Sequence, residues 1–269
     1  MAATEPDAPH IALDGVRMAF DDRPVFDGLS CAFPRGRISV ILGGSGCGKT
    51  TVLRLVAGLV RPLAGRILVD GEDVAQLDER ELVRVRSSIG MLFQGGALLD
   101  SLTVFDNLAF PVRERTDLPE PEIARTVASR LQAVGLHGVD DLLPGQLSGG
   151  MLRRAALARA IVLSPKILLC DEPFSGLDPI SVKRIELLLA RLNRRLGITI
   201  VVVSHHIAST VRLADRVLLL LPDGAVSGAP EELKASPDRD IAGFFDEDLD
   251  ESLEPEPVGG ATSSVEGRP

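Results

Sequence analysis

The octapeptide Gly43-Gly44-Ser45-Gly46-Cys47-Gly48-Lys49-Thr50 follows directly on the apolar run Ile38 to Leu42. An apolar run of that length reads as a buried strand. A glycine-rich turn that closes on Lys-Thr and opens a helix lets the backbone fold around phosphate with its N–H groups inward. Lys49 can then reach the β- and γ-phosphates, and Thr50 can ligate magnesium. The feature demands an α/β sheet with the loop at the carboxyl edge of its strands. Taken alone, it specifies a nucleoside triphosphate site and no particular reaction.

The remaining pattern is also α/β, with short apolar runs alternating with helical spacing. Strands are expected at Ile11 to Val16 and Val25 to Phe33, broken by Asp21-Asp22-Arg23-Pro24, then at Arg66 to Val69 and Ile89 to Phe93. Residues from about 95 to 164 change character and read as a helical insert, with helices at Thr103 to Phe110, Glu120 to Val134 and Gly149 to Leu163. Strands return at Ile167 to Cys170, Thr199 to Val203 and Arg216 to Leu221. Between them Ile185, Leu188, Leu189, Leu192 and Leu196 recur at helical spacing. Pro222-Asp223-Gly224 signals a turn.

Two further segments bear chemistry. Ile167 to Cys170 runs into Asp171 and Glu172, which a buried strand would deliver to the sheet's ligand-binding edge. There Asp171 can hold magnesium through water and Glu172 can polarise an attacking water; the plainer reading is a strand ending in solvated acids. Leu147-Ser148-Gly149-Gly150-Met151 opens an Ala- and Arg-rich helix. Ser148 can cap it and the glycines leave its start open to an anion, although alone the segment reads equally well as an ordinary capped helix.

Composition narrows the classes. The 269 residues include no Trp or Tyr and 9 Phe, which argues against stacking platforms for single-stranded nucleic acid. Net charge is −9, the wrong sign for a nucleic-acid coat. From residue 246 onward there are eight acids and one base, a net of −7, so the preceding body carries only −2. Cys31, Cys47 and Cys170 form no CxxC pair, which suits a reducing cytoplasm. The N-terminus reads as no signal peptide, and no apolar run approaches the roughly 18–20 residues of a membrane span.

In order and spacing, the phosphate loop, Gln94 after a strand, Leu147-Ser148-Gly149-Gly150, Asp171-Glu172-Pro173, Ser175-Gly176-Leu177-Asp178-Pro179 and Ser204-His205 resemble ATP-binding-cassette (ABC) ATPases. The resemblance spans about His10 to Leu233, within an ATPase domain of about residues 10–235. It implies a P-loop NTPase fold with an antiparallel β subdomain and the helical insert, binding ATP with Mg2+ as a head-to-tail homodimer. The nucleotide-binding set is then Phe20, on whose ring adenine would stack, residues Gly43, Gly44, Ser45, Gly46, Cys47, Gly48, Lys49, Thr50 and Thr51, and Ser148, Gly149 and Gly150 facing the partner's γ-phosphate. Catalysis falls to Glu172, His205 and Gln94, metal binding to Thr50, Gln94 and Asp171, and Asp178 lies at the dimer seam. Phe20 as a core aromatic and His205 as a satisfied buried histidine are the plainer readings. His206, beside His205, is expected to point the opposite way, as strand-end neighbours do.

Gly44, Met151 and His206 stand where the family more often has Pro, Gln and Asp. Phe93 to Asp100, Thr103 to Glu114, Leu147 to Ala160 and Asp171 to Ile180 resemble the ATPases of Mla-type phospholipid transporters. That implies a peripheral protein on the cytoplasmic face of the bacterial inner membrane, powering phospholipid transport that maintains outer-membrane asymmetry. A separate permease, an MCE-domain lipid-binding protein and a small STAS-domain protein would be its partners, with no nucleic acid. Ala97, Leu98, Leu99, Leu102, Val104, Phe105, Leu108 and Phe110 are candidates for the permease-docking surface, about half of them expected in the insert's own core. Residues 236–269 read as an acidic extension, partly disordered. Within it Asp238 to Phe245 can form a short helix anchored by Phe244 and Phe245, contacting the paired ATPase or the STAS protein. Competing readings are the ATPase of an importer for a polar solute such as an amino acid, and a soluble ABC protein acting on nucleic acid or ribosomes.

Overall fold

The computed structural model describes residues 9–21 and 23–246. Among them the strands are β1 (Pro9–Phe20), β2 (Arg23–Pro34), β3 (Ile38–Gly43), β4 (Ala64–Val69), β5 (Glu72–Asp73), β6 (Ile89–Leu92), β7 (Ile167–Asp171), β8 (Thr199–Val203), β9 (Arg216–Leu221) and β10 (Gly224–Gly228). One sheet is antiparallel in the order β2-β1-β4-β5; the other runs β10-β9-β3-β8-β7-β6. The second sheet is parallel except where β10 turns back on β9. Strands β3, β7 and β8 are buried at every position, which is why they read as unbroken apolar runs rather than alternating ones.

The helices are α1 (Lys49–Val56), α2 (Glu79–Ser87), α3 (Val104–Arg115), α4 (Glu120–Ala133), α5 (Gly149–Ala160), α6 (Pro179–Leu196), α7 (Ile207–Leu213), α8 (Pro230–Lys234) and α9 (Arg239–Asp246). Successive residues of a strand face opposite sides, and here the sides feed two cores. Val40, Leu42, Leu168 and Cys170 pack with α3 to α6, whereas Ile41, Ile167 and Leu169 pack with α1, α2 and the antiparallel sheet. The central strands are thereby clamped, with their carboxyl ends aligned at one edge.

Several elements depart from the sequence reading. Arg23 and Pro24 lie inside β2, where an edge strand with a register shift accommodates proline. Helix α3 passes through Pro111 to Arg115; buried Val112 and the pairing of Arg113 with Asp106 and Glu120 hold the turn beyond it. Helix α2 was not expected, because only Leu82 and Val85 of its residues are buried; a reciprocal Asp78–Glu81 cap starts it.

The two sheets are also joined by polar contacts. His10 Nδ1 lies 2.6 Å from Thr199 Oγ1, and its Nε2 lies 3.1 Å from Arg35, which with Lys166 grips Asp70. Burial pushes the His10 imidazole down to about 4, so it stays neutral at ordinary pH. Near the C-terminus, Ile241 and Phe245 of α9 enter the larger core, with Phe244 packed beside them. The acidic stretch beyond residue 246 lies outside the described residues.

Candidate functional site

The phosphate loop leaves β3 and enters α1. Gly48 sits at φ 96°, and a Cβ there would come within 2.6 Å of Phe26 Cζ and of Val25 Cγ1, so any side chain would push the loop off β2. Lys49 Nζ donates to the carbonyls of Gly43 at 2.7 Å and Gly44 at 2.8 Å. An ammonium carries three donors, so one remains for a phosphate seated in the loop. Gly44, Ser45 and Gly46 are exposed, while Cys47 turns toward Gly43 and Thr51 is buried in α1.

Register brings the acids to the loop. β3 pairs with β8 and β8 with β7, so Asp171 aligns with Val203 at the same edge as Gly43. Thr50 Oγ1 donates to Asp171 Oδ1 at 3.0 Å. Burial pushes the Asp171 carboxyl above its usual range, opposed by Thr50, Arg54 and Lys49. One hydroxyl and one carboxylate beside a phosphate cradle suit Mg2+, which takes few protein ligands and completes its shell with phosphate and water. The described residues contain no larger His, Cys, Asp or Glu cluster placed for a metal.

Glu172 has a φ of 48°, a left-handed backbone uncommon for this residue. Its Oε2 lies 2.9 Å from His205 Nδ1. Oε2 is buried and makes no hydrogen bond, which leaves it an open acceptor beside the imidazole. His205 is exposed at the end of β8. Contrary to expectation, the His206 ring lies beside it, with centroids 5.1 Å apart, and also meets Phe174 edge-on. Strand alternation no longer applies there: β8 ends at Val203, and the His206 N–H folds back onto Ser204 Oγ at 2.9 Å.

Gln94 is exposed just after β6, the strand beside β7. Phe20 ends β1 and is 42% exposed, so it is not a core aromatic. Ser148 caps α5, accepting from Met151 N at 3.4 Å. The small cavity at this turn is lined by Ser148, Gly150, Met151, Arg154, Ser181, Arg184 and Ile185, none of them from the phosphate loop. Asp178 caps α6 through Oδ1, 3.0 Å from the N–H groups of Ile180 and Ser181.

Two arginines of α5 that the sequence did not single out reach segments beside the candidate site residues. Arg153 Nη2 donates to Ser175 O at 3.1 Å, and Arg159 Nη1 to Ala97 O at 2.7 Å, in the turn after Gln94. Their only signal in the sequence was an Arg-rich helix.

This fold and edge define a class. Residues 26–175 match the ABC transporter family model, and the chain belongs to that family as an ATP-hydrolysing subunit. It is similar to the intermembrane phospholipid transport system ATP-binding protein MlaF of Escherichia coli (strain K12), at 46% identity covering 84% of each chain. It is also similar to the probable ribonucleotide transport ATP-binding protein mkl of Mycobacterium leprae, at 39% identity covering 87% of this chain and 68% of that one. Among solved structures, cbiO1 from Clostridium perfringens, part of the ABC transporter complex cbiONQ, superposes with a TM-score of 0.79 at 31% identity, covering 86% of this chain and 92% of the other. The dimeric bacterial ABC transporter cassette MJ0796 gives 0.76 at 29% identity, covering 82% and 98%. No helix among the described residues is long and apolar enough to cross a membrane.

Proposed function

We propose that this chain is the ATPase of a phospholipid transporter, working as a homodimer on the cytoplasmic face of a bacterial inner membrane with a permease, an MCE-domain protein and a small STAS-domain protein. The observation that carries this reading is the likeness to MlaF over most of both chains. The nucleotide would lie along Gly43 to Thr51 with its adenine on Phe20. Thr50 and Asp171 would hold Mg2+, with Gln94 beside it; bound there, the ion offsets phosphate charge. Glu172 would polarise the attacking water and His205 would keep the γ-phosphate and that carboxylate in register. Ser148, Gly149 and Gly150 would meet the γ-phosphate held by the partner copy, with Asp178 at the seam. The body covering about residues 10–235 would do this chemistry, and 236–269 would serve contacts with partners.

The permease would dock in the groove of about 360 Å³ between β6 and α3, where Phe93, Leu99 and Phe110 are exposed. Val104 and Leu108 are fully buried and Leu98 and Phe105 lean on the core, so those four serve the insert's own packing. Phe110→Asp should cut recovery of the permease by more than about tenfold, since an unpaired carboxylate would have to be buried, and leave ATP binding unchanged. Affinity purification from native membranes checks both points. Failure of any permease with an MCE-domain partner to co-elute with the unmodified chain would refute the assignment. The mkl likeness supports a second reading, transport of a polar solute; a permease arriving with a soluble solute-binding protein instead would favour it.

A further inference from the structure

We infer that Arg153 is a positioning residue: it locks the helix that begins at Ser148 to the segment carrying Glu172 and Asp178, so that phosphate contact at Ser148 sets the placement of this copy's own Glu172. The inference rests on the proposed roles of Ser148 and Glu172.

The start of α5 lies directly on the 175–181 segment. A Cβ on Gly149 would stand 3.7 Å from Leu177 Cδ2, and one on Gly150 would stand 2.9 Å from Ser181 Oγ. One turn further on, Arg153 is only 7% exposed and donates to the Ser175 carbonyl at 3.1 Å. Ser175 N donates in turn to Glu172 O at 3.3 Å, and Leu177 N to Phe174 O at 3.2 Å, just ahead of the Asp178 cap. A single side chain thus connects the signature turn to a compact loop that starts at Glu172 and ends at Asp178. The neighbouring Arg154 diverges to the carbonyls of Val134 and Gly135.

A buried guanidinium is a poor device for stability alone, because taking a charge out of water is unfavourable unless it is fully paired. Arg153 Nη1 is buried without a hydrogen bond, and Glu172 Oε2, though close to His205, makes none either. Burial lowers the Arg153 guanidinium, and the Glu172 carboxylate opposes that shift. Glu172 itself holds a left-handed backbone, the kind of conformation that surrounding contacts must maintain. Packing needs would be met by an unbranched apolar side chain. What Arg153 adds is the donor to Ser175.

The test compares Arg153→Met, which fills the space without a donor, with Arg153→Gln, which keeps one. Both are measured in the full chain assembled with its permease, beside Glu172→Gln. For Arg153→Met we expect a melting temperature at or above the unmodified value, a KM for ATP within twofold, and kcat reduced at least tenfold. Arg153→Gln should recover kcat to within threefold of the unmodified complex. The inference is overturned if Arg153→Met keeps kcat within twofold, if Arg153→Gln is as impaired as Arg153→Met, or if Arg153→Met loses its fold, which would make Arg153 a stability residue. Full turnover in Glu172→Gln would instead overturn the underlying reading of Glu172.

Discussion

Glu172→Gln should bind ATP as tightly as the unmodified chain and turn it over about 10²- to 10⁴-fold more slowly, the range spanned by a positioned general base. The substitution is nearly isosteric, so the loop from Pro173 to Asp178 keeps its course. It removes the carboxylate whose Oε2 is buried without a hydrogen bond 2.9 Å from His205. The groups proposed to bind phosphate lie from the end of β3 to the start of α1, whereas Glu172 follows β7. Binding and chemistry should therefore separate cleanly. Equilibrium binding of a fluorescent ATP analogue, run beside phosphate release, measures both. Turnover within a few-fold of the unmodified chain would remove Glu172 from the water-polarising role.

Lys49→Ala should show the opposite pattern, with affinity for ATP itself reduced. A charge-assisted hydrogen bond contributes about 1.5–3 kcal/mol, which corresponds to roughly 10- to 150-fold weaker binding. Lys49 lies against the Gly43 and Gly44 carbonyls, so its removal also frees those acceptors and loosens the loop. The fold should survive, because the lysine is only half-buried and the buried residues of α1 are Thr51, Val52, Leu53, Leu55 and Val56. Titration of the same analogue into Lys49→Ala checks this; an unchanged dissociation constant would dissociate Lys49 from the phosphates.

The features legible in the sequence were those set by local chemistry. β3, β7 and β8 announce themselves because both faces are buried, and the loop after β3 is fixed by glycine and lysine spacing. Helix α2 escaped notice because its apolar face amounts to Leu82 and Val85, and β5 is two residues long. Side-chain direction was harder still. His206 was expected to oppose His205, but the strand stops three residues earlier and the turn sets the two rings side by side, tilted 36° to each other. In the sequence Arg153 is one arginine of an Ala- and Arg-rich helix. Only the crossing of α5 over the Ser175 carbonyl gives it a partner 22 residues away. Long-range contacts of that kind depend on how layers pack, which periodicity does not encode.

The proposed function is tested most directly by movement of labelled phospholipid in vesicles reconstituted with this chain, its permease and the MCE-domain protein. ATP should drive phospholipid between the vesicle membrane and the MCE-domain protein, and the movement should disappear with Glu172→Gln. ATP-driven uptake of a polar solute such as a nucleotide or amino acid, with no movement of phospholipid, would contradict it.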